Sequence, residues 1–234
     1  HDGSWHISTR SFIGANCKWY SQKRFNEMFD EAKGNINFEK LNPSICYTFV
    51  LMHPENRIVA RHNSPHIVHV LTRNMETFEL VDTYIGIQKP NTVEFKAREN
   101  IWKKIRELPY YKEGFVIQHK DKFIKIENKK YREIKDLRGN SHSVIQQYFD
   151  LKRTNKIRKF LKHFPESSEK FKIVETQFNN LCIMIYNEYI MYRIRKVLTF
   201  KNTIYQFRPT LYKIHGYHLT SKKKISKYNC KTST

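Results

Sequence analysis

Residues 113–127, EGFVIQHKDKFIKIE, carry the clearest fold information in the chain. Two short runs rich in β-branched and aromatic residues, 114–118 and 122–127, flank His119-Lys120-Asp121, which has the length and composition of a tight turn. The stretch therefore predicts an antiparallel β-hairpin. Its second strand carries three charged residues, Lys122, Lys125 and Glu127.

Helical and strand patterns are mixed in the part of the chain that precedes this hairpin. Apolar side chains recur at helical spacing in 21–33, and a second short helix is predicted at 100–108. Runs bounded by turn residues predict strands at 46–51, 57–60, 67–72 and 78–84, with Pro54-Glu55-Asn56 as the hairpin loop between the first two. Residues 1–139 therefore read as an α+β domain with antiparallel strands.

The remainder of the chain, residues 140–234, has helical patterns only. One sustained apolar stripe is formed by Phe171, Val174, Phe178, Leu181 and Ile185. Pro165 and the serines after it are a typical helix start. Shorter helices are predicted at 143–152, 155–163 and 209–220, so we expect a second, all-α domain.

The charge of the chain is strongly positive and unevenly distributed. The net charge is +21, and residues 141–234 hold 19 Lys and Arg against 5 Asp and Glu. Such an excess repels itself unless a polyanion offsets it, so nucleic acid is the first candidate partner and an anionic membrane surface the second. A lysine-rich surface that only faces water is the structural alternative.

Other sequence features narrow the class of protein. No apolar run is long enough to span a membrane. The four cysteines are far apart and are expected to be free thiols of an intracellular, cytoplasmic protein. With 7 glycines in all, neither a P-loop nor a dinucleotide-binding glycine motif can be written.

Five short motifs follow one another along the chain in a recognisable order. Asp2-Gly3-Ser4 comes first, followed by Ser8-Thr9-Arg10-Ser11-Phe12 and by TFVLMHPENRIV from Thr48. Glu113-Gly114 then opens EGFVIQ, and FIKIENKKY follows from Phe123. This order resembles the ATP-dependent RNA ligases of the T-even-phage type and their relatives in large DNA viruses. In that family K-x-D-G-S supplies the nucleophilic lysine, and E-G-x-V and K-x-K follow it.

The resemblance implies a fold and an activity. The fold is a nucleotidyltransferase (ATP-grasp-like ligase) domain with antiparallel sheets, followed by a basic all-α C-terminal domain. The activity is RNA repair: RNA 5′-phosphate and 3′-hydroxyl ends are joined through lysyl-AMP and RNA-adenylate intermediates, with ATP and Mg²⁺ as cofactors. The protein is expected to be a monomer that binds RNA and no membrane, in the host cell if the chain is viral.

The resemblance also assigns roles to individual residues. It makes Glu113 and Lys125 catalytic, with Glu113 near the metal and Lys125 on the α-phosphate. It places Asp2, Gly3 and Arg10 at the nucleotide or substrate phosphate, together with Gly114 and Lys125. For each of these residues the structural alternative is a turn or an exposed surface position that holds no ligand.

Four departures from the family pattern bear on activity. The nucleophilic lysine would immediately precede His1 and is not in the chain, and the interval between the first two motifs is short. Val50 stands where a ribose-contacting glutamate is usual, and Glu127 replaces the second lysine of K-x-K. Glu127 lies two residues from Lys125 on the same strand, so we expect both on one face, where Glu127 would repel a phosphate. The alternatives are therefore a weakened relative that binds RNA ends without ligating, or a basic nucleic-acid-binding protein unrelated to ligases.

Overall fold

The computed structural model describes residues 4–119, 122–141 and 143–221, and these form two compact units that divide after residue 142. The described part of the first unit contains two two-stranded antiparallel sheets and three helices: α1 (Phe25–Ala32), β1 (Ile45–Met52), β2 (His66–Asn74), α2 (Arg98–Glu107), β3 (Gly114–His119), β4 (Lys122–Glu127) and α3 (Lys129–Arg138). The described part of the second unit is helical: α4 (Val144–Arg153), α5 (Ile157–His163), α6 (Ser168–Tyr189) and α7 (Arg208–Ser221). The expected mixture of helices and antiparallel strands, followed by a helical region, is confirmed.

The first sheet pairs β1 with β2 and packs on α1. Its register runs from Ile45 opposite Asn74 to Met52 opposite His66, with an irregularity after Thr48. Alternate residues of β1 point inward because side chains of a strand alternate between faces. They join a small core around Ala32, Ile67 and Ile87. Val50 points outward and is exposed.

Two strands predicted from the sequence are absent from this region. Residues 57–60 form a bend, because Pro54–Asn56 is a short 3-10 helix capped by His53, whose ring nitrogen accepts a hydrogen bond from the Glu55 amide. Residues 78–84 run beside β2 but contribute a single bridge, Arg73 to Leu80. Pro54-Glu55-Asn56 is therefore not the loop of a hairpin, and β1 pairs with a strand further along the chain.

The second sheet is the hairpin predicted from residues 113–127. Gly114 lies opposite Glu127 and His119 opposite Lys122, whereas the turn residues Lys120 and Asp121 lie outside the described residues. Gly114 has a φ of +144°, and a Cβ at this position would lie 2.1 Å from the carbonyl oxygen of Ile126. Only glycine allows so close an approach of the two strands.

Helix α3, which the sequence analysis missed, follows the hairpin directly. Asn128 caps its first turn, and Tyr131, Ile134 and Leu137 form its buried face. Their spacing of three residues is a helical signal, but it is interleaved with charged residues, KKYREIKDLR.

The second unit is built around the long helix α6. Phe171, Val174 and Ile185 of the predicted stripe are buried, but Leu181 is exposed and Cys182 takes its place in the core. Tyr189, Leu211 and Ile214 complete a cluster that joins α6 to α7. A π-helical turn, Ile190–Ile194, ends α6. The backbone N–H of Arg195 donates to the Ile190 carbonyl at 2.8 Å.

Candidate functional site

The structure brings Glu113 and Lys125 together, as the sequence analysis required of two residues at one site. Their side chains meet across the hairpin, with 2.5 Å between Lys125 Nζ and Glu113 Oε1, although they are 12 residues apart in the chain. Lys135 of α3 lies on the same carboxylate oxygen at 3.8 Å. We call Glu113, Lys125 and Lys135 the lysine–glutamate cluster.

All three side chains of this cluster are about half-exposed. An ion pair so open to water contributes roughly 0–1 kcal/mol to folding, because water screens the charges. The ion pairs of the cluster therefore contribute little to folding, and an anion can reach the two ammonium groups without any unfolding of the chain.

Asn128 fixes the backbone around this cluster. Its backbone N–H donates to the Glu113 carbonyl at 2.8 Å. Its side-chain Nδ2 donates to the carbonyls of Pro109 and Lys112 at 2.9 and 3.0 Å. Its Oδ1 accepts from the Lys130 amide at the start of α3. One buried side chain thus ties together the approach to Glu113, the end of β4 and the beginning of α3. The sequence offered only its suitability as a helix cap.

Tyr131 lies under the cluster on the buried face of α3. Burial, and to a lesser extent the nearby carboxylates of Glu113 and Glu127, together raise the pKa of its phenol to about 12. Tyr131 is therefore a neutral hydroxyl at physiological pH. Tyr20, which also contributes to this pKa, donates its hydroxyl to the Gly139 carbonyl and so connects an early segment of the chain to the end of α3.

Glu127 lies in a different environment from the one expected. Its carboxylate is 19% exposed and pairs with Arg132 Nε at 3.0 Å. The negative charge that was expected to oppose Lys125 is balanced by this arginine. Repulsion between Glu127 and a bound phosphate is correspondingly weaker than the sequence alone suggested.

Of the other predicted site residues, Gly114 lies next to Glu113 at the start of β3, and the described part of the structure does not join Arg10 to the cluster. Asp2 and Gly3 lie outside the described residues. Arg10 is exposed in a turn that is closed by a hydrogen bond from the Thr9 amide to the Phe12 carbonyl and by a bridge between Ser8 and Ile13. Within residues 4–119, 122–141 and 143–221, no ion pair joins Arg10 to Glu113.

The side chains of the segment around Pro54 bond to the protein's own backbone and to neighbouring charged groups. Asn56 accepts from the Tyr20 amide, and Arg57 donates to the Val59 carbonyl. Lys23 bridges Glu31 and Glu55 at 2.9 and 2.7 Å. Hydrogen bonds from Lys23 lower the pKa of both carboxyls and raise the pKa of Lys23 itself.

A cleft of 1220 Å³ lies over the first sheet rather than at the lysine–glutamate cluster. Its lining includes Lys33, Lys40, Tyr47, His66 and Tyr84, but neither Glu113 nor Lys125. This cleft and the residues assigned to nucleotide chemistry are thus different places in the first unit.

The residues of the cluster suit phosphate directly and Mg²⁺ in part. Two ammonium groups match phosphate oxygens. Mg²⁺ is usually held by one or two carboxylates plus phosphates and water, and Glu113 offers one carboxylate. In the part of the chain that the structure describes, no group of three or more His, Cys, Asp or Glu side chains is arranged to hold a metal.

Comparisons with protein-family models, with curated proteins and with solved structures give no match for this chain. Among the described residues, no helix is long and apolar enough to cross a membrane.

Proposed function

We propose that this chain belongs to an ATP-dependent RNA ligase, which joins RNA 5′-phosphate and 3′-hydroxyl ends through lysyl-AMP and RNA-adenylate intermediates. The observation that carries the proposal is the contact between Glu113 and Lys125. Two residues singled out by motif order alone, Lys125 on β4 and Glu113 immediately before β3, meet at 2.5 Å, and a further lysine joins them. The net charge of +21 supports a polyanionic substrate.

In this proposal the cluster acts on the α-phosphate. Lys125 and Lys135 place positive charge where negative charge grows as a lysine amine attacks phosphorus and pyrophosphate leaves. Glu113 holds both ammonium groups in position before the nucleotide arrives, and its carboxylate is the group that would hold Mg²⁺, which supplies further charge neutralisation when bound. Asn128 and Gly114 keep the two strands at the spacing that this arrangement needs.

A second candidate function is binding of RNA ends without ligation. It is favoured by Val50, which gives the ribose no carboxylate contact, and by the position of the cleft away from Lys125. This relative would keep the basic surfaces and lack the chemistry.

Covalent labelling separates the two functions. A variant chain with a lysine placed immediately before His1 is incubated with ATP labelled at the α-phosphate and Mg²⁺. Ligase chemistry predicts an acid-labile, protein-bound AMP. Lys125→Ala should lower its formation at least about tenfold, the effect of losing about 1.4 kcal/mol of transition-state stabilisation.

Lys122→Ala is the matched control, because Lys122 is an exposed lysine of the same strand, placed opposite His119 rather than near Glu113. It should leave the labelling unchanged. Absence of label in the lysine-containing chain, with RNA binding retained, would favour the binding-only function. Equal losses in both variants would show that Lys125 has no special place at the phosphate.

A further inference from the structure

The second unit carries a surface on which aromatic rings and arginines lie against one another. Its members come from the end of α6, from the connection to α7 and from α7 itself; we call them the stacking surface: Tyr192, Arg193, Phe200, Tyr205, Arg208 and Tyr212. The Phe200 ring is 6.2 Å from Tyr192 and 5.8 Å from Tyr212, centroid to centroid.

Both guanidinium groups lie over rings of this surface. Arg193 is 4.5 Å from the Tyr192 centroid and 5.4 Å from that of Tyr212. Arg208 is 4.5 Å from the Phe200 centroid and 5.4 Å from that of Tyr205. Six side chains that are scattered between residues 192 and 212 thus form one continuous patch.

Hydrogen bonds hold the connection that carries Phe200 and Tyr205. Arg208 donates to Thr203 Oγ1 at 3.2 Å and to the Lys201 carbonyl at 3.0 Å. Glu188 accepts from the Ile204 amide at 2.7 Å. The backbone that carries the rings is therefore held before any ligand arrives, which lowers the conformational entropy lost on binding.

Two of the rings, those of Tyr205 and Tyr212, are open to water although the core of the unit lies next to them in the chain, whereas Tyr192 is partly buried against that core. Tyr205 is 75% exposed and Tyr212 52%, whereas the neighbouring Leu211 and Ile214 are buried. Exposed lysines and arginines, Arg195, Lys196, Lys201 and Lys213, flank the surface in sequence. Burial does not explain such rings, but a ligand with flat faces and negative charge would cover them.

Unpaired nucleotides have this chemistry. Bases stack on tyrosine rings and on guanidinium planes, and phosphates meet lysine and arginine. We infer that the stacking surface binds single-stranded RNA, with bases stacked on Tyr205 and Tyr212 and the strand's phosphates held by the cations around them. This inference rests on the proposed function in one respect: it says how the RNA strand of that reaction is held.

The test is fluorescence anisotropy of a labelled single-stranded RNA of about 12 nucleotides, within the range of known strand-binding sites. Tyr205→Ala and Tyr212→Ala should each weaken binding by about fivefold or more, the loss of one stacked base. Tyr217→Ala is the control: it removes a 45% exposed tyrosine of the same helix that lies five positions from Tyr212, on another face. If Tyr217→Ala weakens binding as much as Tyr212→Ala, the inference is wrong.

Two further probes exclude binding by charge alone and binding to a membrane. A strand of the same length without bases should bind the unchanged protein less tightly, and a variant with both Tyr205→Ala and Tyr212→Ala should not distinguish the two strands. Vesicles of phosphatidylcholine and phosphatidylserine provide the other arm, since aromatic and basic surfaces also bind anionic bilayers. Equal affinity for both strands would overturn the inference, and so would tyrosine variants that lose vesicles but keep RNA.

Salt dependence separates the two kinds of contact. Lys201→Gln and Lys213→Gln should each make the fall of log K with log salt less steep. The expected change in slope is about 0.7, which corresponds to the loss of one phosphate contact. Tyr205→Ala should lower affinity and leave that slope unchanged. These measurements need no ATP and no lysine before His1, so a chain that binds as described but forms no adenylate would refute the ligase and not the stacking surface.

Discussion

Replacing Gly114 with alanine should destabilise the first unit strongly. The new Cβ would lie 2.1 Å from the carbonyl oxygen of Ile126 and 3.1 Å from the Cα of Glu127, both of them backbone atoms that cannot move without parting β3 from β4. A residue with a side chain at a φ of +144° costs roughly 1–3 kcal/mol in strain, and overpacking costs roughly as much again. We therefore expect a loss of about 3 kcal/mol.

Tryptophan fluorescence reports the stability of the first unit separately from that of the second. The 3 tryptophans of the chain, Trp5, Trp19 and Trp102, all precede residue 143, so their emission follows unfolding of the first unit alone. A loss of about 3 kcal/mol should lower the thermal midpoint by about 9 °C in a unit of this size.

Substitutions at two other glycines separate the cost of backbone strain at positive φ from the cost of a steric clash with the new Cβ. Gly86 has a φ of +77° with open space around it, so Gly86→Ala should cost only the strain, about 1–2 kcal/mol. Gly216 lies in α7 with neither problem, and Gly216→Ala should stabilise the second unit by about 0.5–1 kcal/mol, seen by circular dichroism. If Gly114→Ala proved no worse than Gly86→Ala, the close approach of β4 would not be the reason for a glycine there.

Three further predictions concern the first unit. Asn128→Ala should cost about 2–4 kcal/mol by denaturant titration, because it leaves two carbonyls and a helix amide without their partner; a loss below about 1 kcal/mol would contradict its anchoring role. Tyr131 has a pKa raised to about 12 in the folded chain, so its contribution to stability is complete below its ordinary value near 10 and is lost as pH rises towards 12; Tyr131→Phe should flatten that part of the alkaline stability profile. Glu31 and Glu55 have lowered pKa values, so the stability from their bridge to Lys23 is present above their ordinary value of 4.5 and is lost as pH falls through the lower folded value; Glu55→Gln should make unfolding less sensitive to acid in that range.

Local patterns predicted the parts of the fold whose pairing is also local. The hairpin of β3 and β4 needs only a turn and two adjacent strands, and the helices of the second unit show their caps and stripes in sequence. The strand expected at 57–60 failed because its partner was assumed to be the neighbouring run. The Arg57 side chain instead bonds to the Val59 carbonyl, which stabilises a bend.

The candidate site was predictable to the same extent. The predicted hairpin places Lys125 on the strand opposite the segment that begins at Glu113, although its register pairs Lys125 with Val116, so the sequence indicates proximity but not the contact itself. The places of Lys135 and Asn128 could not be anticipated, because both depend on α3, whose apolar face is interleaved with charges. The stacking surface depends on the return of α7 to the end of α6, a long-range contact that no single stretch of sequence contains.

Because of the π-helical turn at Ile190–Ile194, the arrangement of the stacking surface depends on the number of residues in this segment as well as on which residues they are. Such a turn is an α-helix that accommodates one additional residue, and each residue of an α-helix advances it by about 100°. Deleting one residue at the start of this turn would restore regular α-helical geometry. The side chains of Tyr192 and Arg193 would then be rotated by about 100° about the axis of α6. Among related sequences, a one-residue gap in this segment would therefore mark a chain that has lost the ring arrangement even if every aromatic residue were kept.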